Sequence, residues 1–425
     1  MFYACGEPRY LVLLMLSVFV NYFVGLHLGV DWKKGSHKKQ KQTKLQHRNS
    51  KKCKILLAAA ITGNIGLLLF FKINSGQTGL PLGISFYTFQ ILSYLIDVYQ
   101  RKLQRERSFL KLATHIIMFP KLISGPITDY AGMEPELSYR SFSIEKLQDG
   151  LQLFTVGLAA KVLLADRVGI LWHEIQVTGF ESISTPLAWL GAFAYSMEIY
   201  FDFYGYSLMA MGLGRMLGFE LPENFRTPYM ARSVRDFYRR WHITLGKWFC
   251  RYVYIPLGGS RKGECRTIVN LLVVWVLTAL WHGMTPNFLL WGMLLWACIV
   301  MERLLEKTGI TKHMKVLPHL YLWCVIPISW MCFAITDMGQ LQIYLERMFH
   351  PAGGVGIRGR DWLDALESYG SLLAVAAAFC TPLAEKLYGK MKNHFIGKIL
   401  LAALFWMCVQ RLIMEGNNPF LYFSY

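Results

Sequence analysis

Apolar runs close to the length of a membrane helix recur along this chain, and they constrain its fold more than any other feature. The clearest runs are Leu11–Val30, Ile55–Ile73, Leu151–Leu164, Leu187–Phe203, Ile268–Leu280, Phe288–Val300, Leu317–Ile335, Ser371–Leu383 and Ile399–Ile413. A helix needs roughly 20 apolar residues to cross a bilayer, so the shorter runs are typical of tilted, half-buried or re-entrant helices. Only 17% of the residues are charged, and no long hydrophilic stretch would form a separate soluble domain. The pattern predicts an all-α polytopic membrane protein with roughly ten crossings in one transmembrane domain, residues 1–425.

The positive charges predict the orientation of the chain. The formal net charge is +18, and the basic residues cluster in short loops between apolar runs, which is the positive-inside pattern of membrane proteins. This pattern places the basic loop 31–54 and the basic segment 223–266, which we predict to be re-entrant, in the cytoplasm. The loop 337–368 and the C-terminal tail 414–425 then lie on the extracytoplasmic side. Because topology explains the charge, we predict contact with the lipid bilayer and no nucleic-acid partner.

The first apolar run and the cysteines exclude two other classes of protein. Leu11–Val30 is too long for a signal peptide and lacks a small-residue cleavage site, so it predicts a membrane helix. The nine cysteines contain no C-x-x-C pair, and most lie in apolar runs, which is typical of small buried hydrophobes. We therefore predict neither a disulfide framework nor a metal site.

One histidine interrupts the apolar stretch "TALWHGMTPNFLLWG", Thr278–Gly292. Gly283 and Pro286 predict a helix break directly after His282. An ionisable residue at membrane depth is a candidate functional residue by default. Burial favours neutral imidazole, which takes a proton from a hydroxyl as that oxygen attacks a carbonyl, so general-base catalysis is the chemistry that fits. The alternative is a packing histidine bonded to a backbone carbonyl.

A second histidine, His242, lies in the basic and aromatic stretch "RDFYRRWHITLGKWFCRYVYIPLGG". Three arginines precede it, and guanidinium groups suit the phosphates of an anionic donor at the cytoplasmic mouth of a site. They are Arg235, Arg239 and Arg240. The alternative is a juxtamembrane belt that contacts lipid headgroups. Such a belt does not account for two Trp-His pairs, so His242 and the tryptophans Trp241 and Trp281 are candidate site residues.

Two further stretches hold charged residues among apolar ones. In "EIYFDFYGYS", Glu198 and Asp202 are one helical turn apart and share a face. Asp202 either orients a histidine or meets an arginine, or it forms a structural ion pair. The stretch "FPKLISGPITDY" predicts a broken or kinked helix within a crossing at His115–Tyr130, where Lys121 either lines a cavity or snorkels to the surface.

These motifs resemble those of the membrane-bound O-acyltransferase (MBOAT) family. The resemblance rests on the segment from "EIYFDFYGYS" to "YIPLGG", on "LWHGMTPNFLLWG", on "FPKLISGPI" and on the ending "NPFLYFSY", and so it spans nearly the whole chain. The branch that it resembles most is that of the bacterial membrane subunits for alginate and related polysaccharide O-acetylation, with the teichoic acid D-alanyl transferase more distant. The resemblance implies a ring of roughly ten or more transmembrane or re-entrant helices around a central funnel. It also implies the bacterial cytoplasmic (inner) membrane.

The resemblance implies roles for individual residues. His282 matches the family's signature histidine, taken as catalytic, and His242 matches a second, more variable polar position. Asn287, in the same motif as His282, is a further candidate. An acyl donor, acetyl-CoA or another acyl thioester, is implied to enter from the cytoplasm, with no permanently bound cofactor. In the alginate-type systems the acyl group passes to an extracytoplasmic partner protein, which completes the transfer to the sugar.

The two ends of the chain carry the remaining expectations. The ending "FLYFSY" resembles a motif that presents a tyrosine hydroxyl for acylation, which makes Tyr422 a candidate acyl acceptor; the alternative is an aromatic anchor at the membrane interface. The chain begins at a motif that in relatives follows a first hydrophobic segment, so we expect a misassigned start or a short variant.

The functional hypothesis is a polytopic O-acyltransferase. It moves an acyl group, most simply acetyl, from a cytoplasmic thioester toward hydroxyls of an exported or cell-surface polysaccharide through a partner protein. The alternative is a non-enzymatic exporter or scaffold of a polysaccharide assembly machinery. An exporter predicts coupling acids and inverted repeats, whereas the sequence holds only Glu198 and Asp202 as deep acids and no internal repeat.

Overall fold

The computed structural model describes residues 2–29, 50–309, 316–350 and 359–416, and every regular element in these ranges is a helix. The prediction of an all-α fold is confirmed. The chain packs as two compact units: Met1–Leu147 with Leu213–Pro222, and Gln148–Gly212 with Glu223–Tyr425. The single domain over 1–425 stays a prediction.

The first unit is built around one buried helix, Ile84–Tyr99, which packs against Leu11–Leu28 and Lys51–Ile73. These two neighbours are joined by a pair of amides, because Asn64 Nδ2 donates to Asn21 Oδ1 at 2.8 Å and Asn21 Nδ2 donates back at 3.1 Å. Such bonds hold apolar helices in a fixed register. The other helices of this unit are Phe2–Gly6, Pro8–Tyr10 (3₁₀), Ser75–Thr78, Phe109–Ile117, Phe119–Leu122 and Tyr130–Ser138.

The second unit contains or shares the remaining helices and surrounds a core rich in tryptophan, tyrosine and phenylalanine. The α-helices are Ile144–Ala159, Asp166–Thr178, Thr185–Met216, Val234–Arg240, Ile243–Phe249, Glu264–His282, Pro286–Thr308, Leu317–Ala334, Met338–Phe349, Asp361–Phe379, Leu383–Met391 and Phe395–Glu415. Ala160–Ala165 and Cys250–Tyr254 are π-helical, and Phe180–Ser182 and Pro228–Met230 are 3₁₀ turns.

Six helices of the described ranges are long and apolar enough to cross a membrane, which supports a multi-pass membrane protein. They are Pro8–Leu28, Lys51–Ile73, Glu264–His282, Pro286–Thr308, Leu317–Ala334 and Phe395–Met414. A seventh span results if Asp361–Phe379 and Leu383–Met391, which are bent by 76°, cross as one. The larger number of roughly ten crossings stays a prediction.

Glycines set the distance between the helices Ile144–Ala159 and Thr185–Met216. A Cβ added at Gly157 would lie 2.5 Å from the carbonyl oxygen of Gly205, and one at Gly205 would lie 2.6 Å from that of Gly157. Small residues at a helix interface let two backbones approach closely, as in many membrane proteins. The helix that carries Asp202 is therefore packed directly against the segment that carries Lys161.

The broken helix predicted at "FPKLISGPITDY" is confirmed, and the crossing at His115–Tyr130 stays a prediction. Helices Phe109–Ile117 and Phe119–Leu122 are followed by a non-helical segment up to Tyr130. The chain folds back so tightly there that a Cβ at Gly125 would lie 2.3 Å from the Cα of Lys121.

Lys121 does not snorkel, because its side chain is fully buried. Its Nζ donates to Thr128 Oγ1 at 2.6 Å and lies 3.3 Å from His115 Nδ1. A buried ammonium or amine needs such partners, since an unsatisfied polar group in an apolar interior is costly.

Two predicted loops contain helical structure. The loop 337–368 holds the helix Met338–Phe349, whose first turn is capped by Asp337 and whose Tyr344 hydroxyl donates to the carbonyl of Ala188 at 2.6 Å. In the basic loop 31–54, residues 31–49 lie outside the described ranges, and Lys51 already begins a helix.

Candidate active site

The helix break predicted after His282 is confirmed. The helix Glu264–His282 ends at this residue, and the next helix begins at Pro286. Fully buried Asn287 fixes the break, because its Nδ2 donates to the carbonyls of Cys332 at 3.1 Å and Phe333 at 3.2 Å. Asn287 therefore links the helix Pro286–Thr308 to the helix Leu317–Ala334 by hydrogen bonds and does not line the cavity.

Aromatic rings surround the half-buried imidazole of His282. The ring centroids of Trp281, Trp291 and Phe333 lie 4.8, 5.1 and 5.0 Å from that of His282, and all three are close to perpendicular to it. This aromatic wall restricts the rotamers of the histidine.

His242 lies at a sharp turn between two short helices. Val234–Arg240 ends before it and Ile243–Phe249 begins after it, so His242 takes a left-handed conformation with φ 44° and ψ 53°. Left-handed conformations cost a non-glycine residue of order 1 kcal/mol and persist where the surrounding structure fixes them, often at functional sites. Here the backbone N–H of Ile243 donates to the carbonyl of Asn224 at 2.9 Å, which ties the turn to a preceding segment.

The imidazole of His242 is 4% exposed. Its Nδ1 lies 3.4 Å from Asn224 Oδ1, its ring meets Phe203 edge-on at 4.8 Å, and Nε2 has no hydrogen-bond partner among the described residues. Burial lowers the pKa of His242 to about 3, so the ring is neutral near pH 7.

One cavity of about 610 Å³ in the second unit brings the two histidines together. Of the residues predicted from the sequence, it is lined by His242, His282, Trp241, Arg235 and Arg239. Trp281 is buried behind them and contacts both imidazoles, with centroid distances of 6.3 Å to His242 and 4.8 Å to His282. The cavity therefore brings together two sequence motifs that are separated by several helical elements along the chain.

The cavity also has a basic side. Arg235 pairs with Glu306 and Arg303 pairs with Glu264. The cations of Arg239 and Lys247 have no ion-pair partner in the part of the chain that the structure describes, so they remain available to an anion. Arg240 is different, because it pairs with Asp236 at 3.1 Å and does not line the cavity.

Asp202 lies outside the cavity lining and forms an ion pair. Its Oδ1 is 2.9 Å from Lys161 Nζ, and the same ammonium lies 2.5 Å from Asp166 Oδ1. The sequence left three roles open for Asp202: orienting a histidine, meeting an arginine or forming a structural ion pair. The structure shows a buried ion pair with a lysine. Tyr422 lies outside the described residues, and its role as acceptor stays a prediction.

Comparison with known proteins agrees with these motifs. The family model described as "MBOAT, membrane-bound O-acyltransferase family" matches residues 6–337. The chain belongs to the membrane-bound O-acyltransferase family. The resemblance drawn from the Trp-His motifs is therefore confirmed, and so is the prediction of an acyltransferase.

Relatives of this MBOAT chain are named for three different polymers. It is 32% identical to a "Probable alginate O-acetylase" of Pseudomonas putida over 81% of this chain and 75% of that protein. It is 32% identical to a "Peptidoglycan O-acetyltransferase" of Helicobacter pylori over 100% of this chain and 83% of that protein. A "Teichoic acid D-alanyltransferase" of Bacillus subtilis is 25% identical over 59% of this chain and 67% of that protein. The chain spans between 52% and 75% of the length of the alginate relatives it matches.

Sequence reasoning missed two residues of this MBOAT site, Lys247 and Asn224. Lys247 lies in the last turn of the short helix Ile243–Phe249, which follows His242 directly. Its position five residues after the histidine was therefore a signal that the sequence offered. Asn224 gave no signal, because it lies in an irregular segment whose neighbours are set only by folding.

Proposed function

We propose that this chain is a membrane O-acetyltransferase that moves an acetyl group from a cytoplasmic thioester toward hydroxyls of an exported or cell-surface polysaccharide. One observation carries the proposal: a single cavity holds both histidines at an apolar wall and unpaired cations at its basic side. That combination suits a donor with a small apolar acyl end and an anionic carrier end.

The proposed reaction uses His282 as the general base. A neutral imidazole nitrogen takes the proton of the acceptor hydroxyl while the hydroxyl oxygen bonds to the thioester carbonyl carbon. The carbon–sulfur bond then breaks, and the leaving thiolate takes the proton back from the imidazolium. The surrounding tryptophan and phenylalanine rings exclude water, which limits hydrolysis of the thioester.

The cations of the cavity place the donor. Arg239 and Lys247 bind the phosphates of acetyl-CoA or of another acyl thioester carrier, and Arg235 adds a third charge that it shares with Glu306. Trp241 and His242 line the same cavity as these cations and His282. The donor is a substrate, and the proposal includes no permanently bound cofactor.

The membrane arrangement follows from the charge pattern. We place the basic segment 223–266 in the cytoplasm of a bacterial inner membrane, because short basic loops stay on that side. An extracytoplasmic partner protein receives the acetyl group and completes its transfer to the polysaccharide. Tyr422 is the residue of this chain proposed to present a hydroxyl on that side.

Labelled acetyl transfer tests the proposal. Membrane vesicles from a strain that lacks the gene and carries this chain are supplied with acetyl-CoA labelled in the acetyl group. The label is expected to appear as base-labile ester in the surface glycans. It is expected to be absent with His282→Ala, and equal transfer by His282→Ala and the wild type would overturn the mechanism.

A further inference from the structure

Asn224 contacts the imidazole of His242 from within the protein, and its own side chain is 1% exposed. Four contacts fix the amide. Its Nδ2 donates to Ser207 Oγ at 3.0 Å, and its Oδ1 lies 2.6 Å from Thr244 Oγ1, 3.3 Å from the Thr244 backbone nitrogen and 3.4 Å from His242 Nδ1. An amide with this many buried partners has one defined orientation.

The backbone of Thr244 decides which amide atom faces the histidine. A backbone N–H only donates, so the atom of Asn224 that lies next to it must be the acceptor Oδ1. A flipped amide would point its NH₂ group at this N–H, so that two donors would face each other in a buried site, which is costly. The serine hydroxyl fits the same orientation, because it accepts from Nδ2.

This orientation determines the tautomer of the imidazole. If Nδ1 of His242 carried a lone pair, two lone pairs would face each other at 3.4 Å in a buried site. If Nδ1 carries the proton, it donates to Oδ1 of Asn224, and Nε2 carries the lone pair.

We propose that Asn224 is a positioning residue that holds neutral His242, which lines the cavity, as the Nδ1–H tautomer, so that the buried Nε2 carries the lone pair and is the hydrogen-bond acceptor of this ring. Nε2 then binds an O–H or N–H group of a substrate and does not donate to the thioester carbonyl oxygen. The catalytic meaning of this arrangement rests on the proposed function, whereas the tautomer itself does not.

The low proton affinity of His242 agrees with an acceptor role. A group with a pKa of about 3 is a poor general base near pH 7. The base is therefore His282, and His242 orients the substrate. No carboxylate touches the ring in the described ranges; its neighbours there are the amide of Asn224 and the rings of Phe203 and Trp281.

The fold holds Asn224 and His242 together independently of their side chains. The carbonyl of Asn224 accepts from Ile243 N at 2.9 Å, and Arg226 N donates to the carbonyl of Arg240 at 3.0 Å. These two bonds pair the segment after the helix Thr185–Met216 with the turn that carries His242, so the side chains meet in a fixed register.

Nitrogen NMR of the purified full-length protein with ¹⁵N-labelled histidine tests the tautomer without an activity assay. The resonances of His242 are identified by their loss in His242→Gln. In the wild type we expect Nδ1 to resonate as a protonated nitrogen and Nε2 as an unprotonated one. The opposite assignment would overturn the proposal.

Variants of Asn224 complete the test. Asn224→Ala removes the acceptor and is expected to shift the proton to Nε2, while the control Ser207→Ala keeps the Nδ1–H tautomer because Thr244 N–H still fixes the amide.

Asn224→Asp is close in shape and keeps the measurement possible if the alanine variant does not fold. It is expected to retain the proton on Nδ1 and to raise the pH at which the ring becomes charged, because a carboxylate stabilises imidazolium. An unchanged titration in Asn224→Asp would contradict the contact.

Kinetics separate this inference from the proposed function. Asn224→Ala is expected to lower kcat about tenfold or more. The variant loses one buried hydrogen bond to the neutral imidazole, and with it the Nδ1–H tautomer of His242. Asn224→Asp is expected to move the acid limb of the pH profile upward, which a purely structural residue would not do. If the wild-type protein shows the predicted tautomer but transfers no acetyl group, the proposed function is overturned and the tautomer still stands.

Discussion

The second unit contains two clusters of buried titratable side chains that look alike in the sequence. They differ in the structure, because one lines the cavity and the other does not. One contains His242 and His282, and the other contains Lys161, Asp166 and Asp202. Each consists of titratable side chains in apolar stretches, which marks both as functional candidates. In the second cluster the ammonium of Lys161 pairs with the carboxylates of Asp166 and Asp202, and none of the three lines the cavity. In the first, Nε2 of His242 is free of protein partners in the described ranges and both rings line a cavity.

In the proposed mechanism, access to the cavity separates the catalytic cluster from the structural one. An ion pair between helices of the protein stabilises one arrangement of those helices, and removing one partner leaves an uncompensated charge. A buried polar atom without a protein partner, on a residue that lines a cavity, gains a partner in this mechanism when a substrate binds. The comparison can therefore be tested by replacing members of both clusters and measuring chemistry and stability separately.

The largest expected effect is on chemistry at His282. His282→Ala is expected to lower the rate of acetyl transfer by about 10²- to 10⁴-fold, because a positioned general base contributes that much. Its unfolding temperature should stay near that of the wild type. The control is His173→Ala, which replaces an exposed histidine of the helix Asp166–Thr178 and should leave the rate unchanged. A comparable loss in both variants would remove the special role of His282.

The next effect is on stability at Lys161. Lys161→Met leaves Asp166 and Asp202 without their shared cation and is expected to cost about 3–5 kcal/mol of folding free energy. Thermal unfolding of the purified protein in detergent should show this as a lower midpoint. Unchanged unfolding would show that the pair contributes nothing to the fold.

A smaller effect is expected at the basic side of the cavity. Arg239→Gln and Lys247→Gln each remove one charged hydrogen-bond donor and are expected to raise KM for acetyl-CoA about tenfold, with kcat little changed. Arg240→Gln is the matched control, because Arg240 pairs with Asp236 outside the cavity. If Arg240→Gln raised KM as much as Arg239→Gln, the assignment of the donor site to the cavity cations would fail.

The sequence predicted the helices better than the partners of individual side chains. Apolar runs such as Ile268–Leu280 and Leu317–Ile335 fall within the helices Glu264–His282 and Leu317–Ala334, give or take one residue, because hydrophobic patterning sets where membrane helices form. The break after His282 was also predictable, since Gly283 follows it directly and Pro286 comes soon after in the chain.

Contacts between distant segments were not predictable in the same way. The interpretation of Asp202 stayed open, because its cation Lys161 comes from another helix whose approach depends on Gly157 and Gly205. The partner of His242 was missed, because Asn224 is eighteen residues away in a segment without periodicity. Arg239 and Arg240 are neighbours in the sequence, and only the directions of their side chains distinguish them. Arg239 lines the cavity, whereas Arg240 pairs with Asp236.

The most direct test of the central claim is the rate of acetyl transfer per folded molecule in His282→Ala and Lys161→Met, measured side by side. Labelled acetyl-CoA gives the rate in membrane vesicles, and the folded fraction is determined for each variant. The account predicts that His282→Ala is folded and nearly inactive, whereas Lys161→Met yields less folded protein that transfers acetate at close to the wild-type rate. A folded His282→Ala that transfers acetate like the wild type, or an equally inactive folded fraction of Lys161→Met, would contradict it.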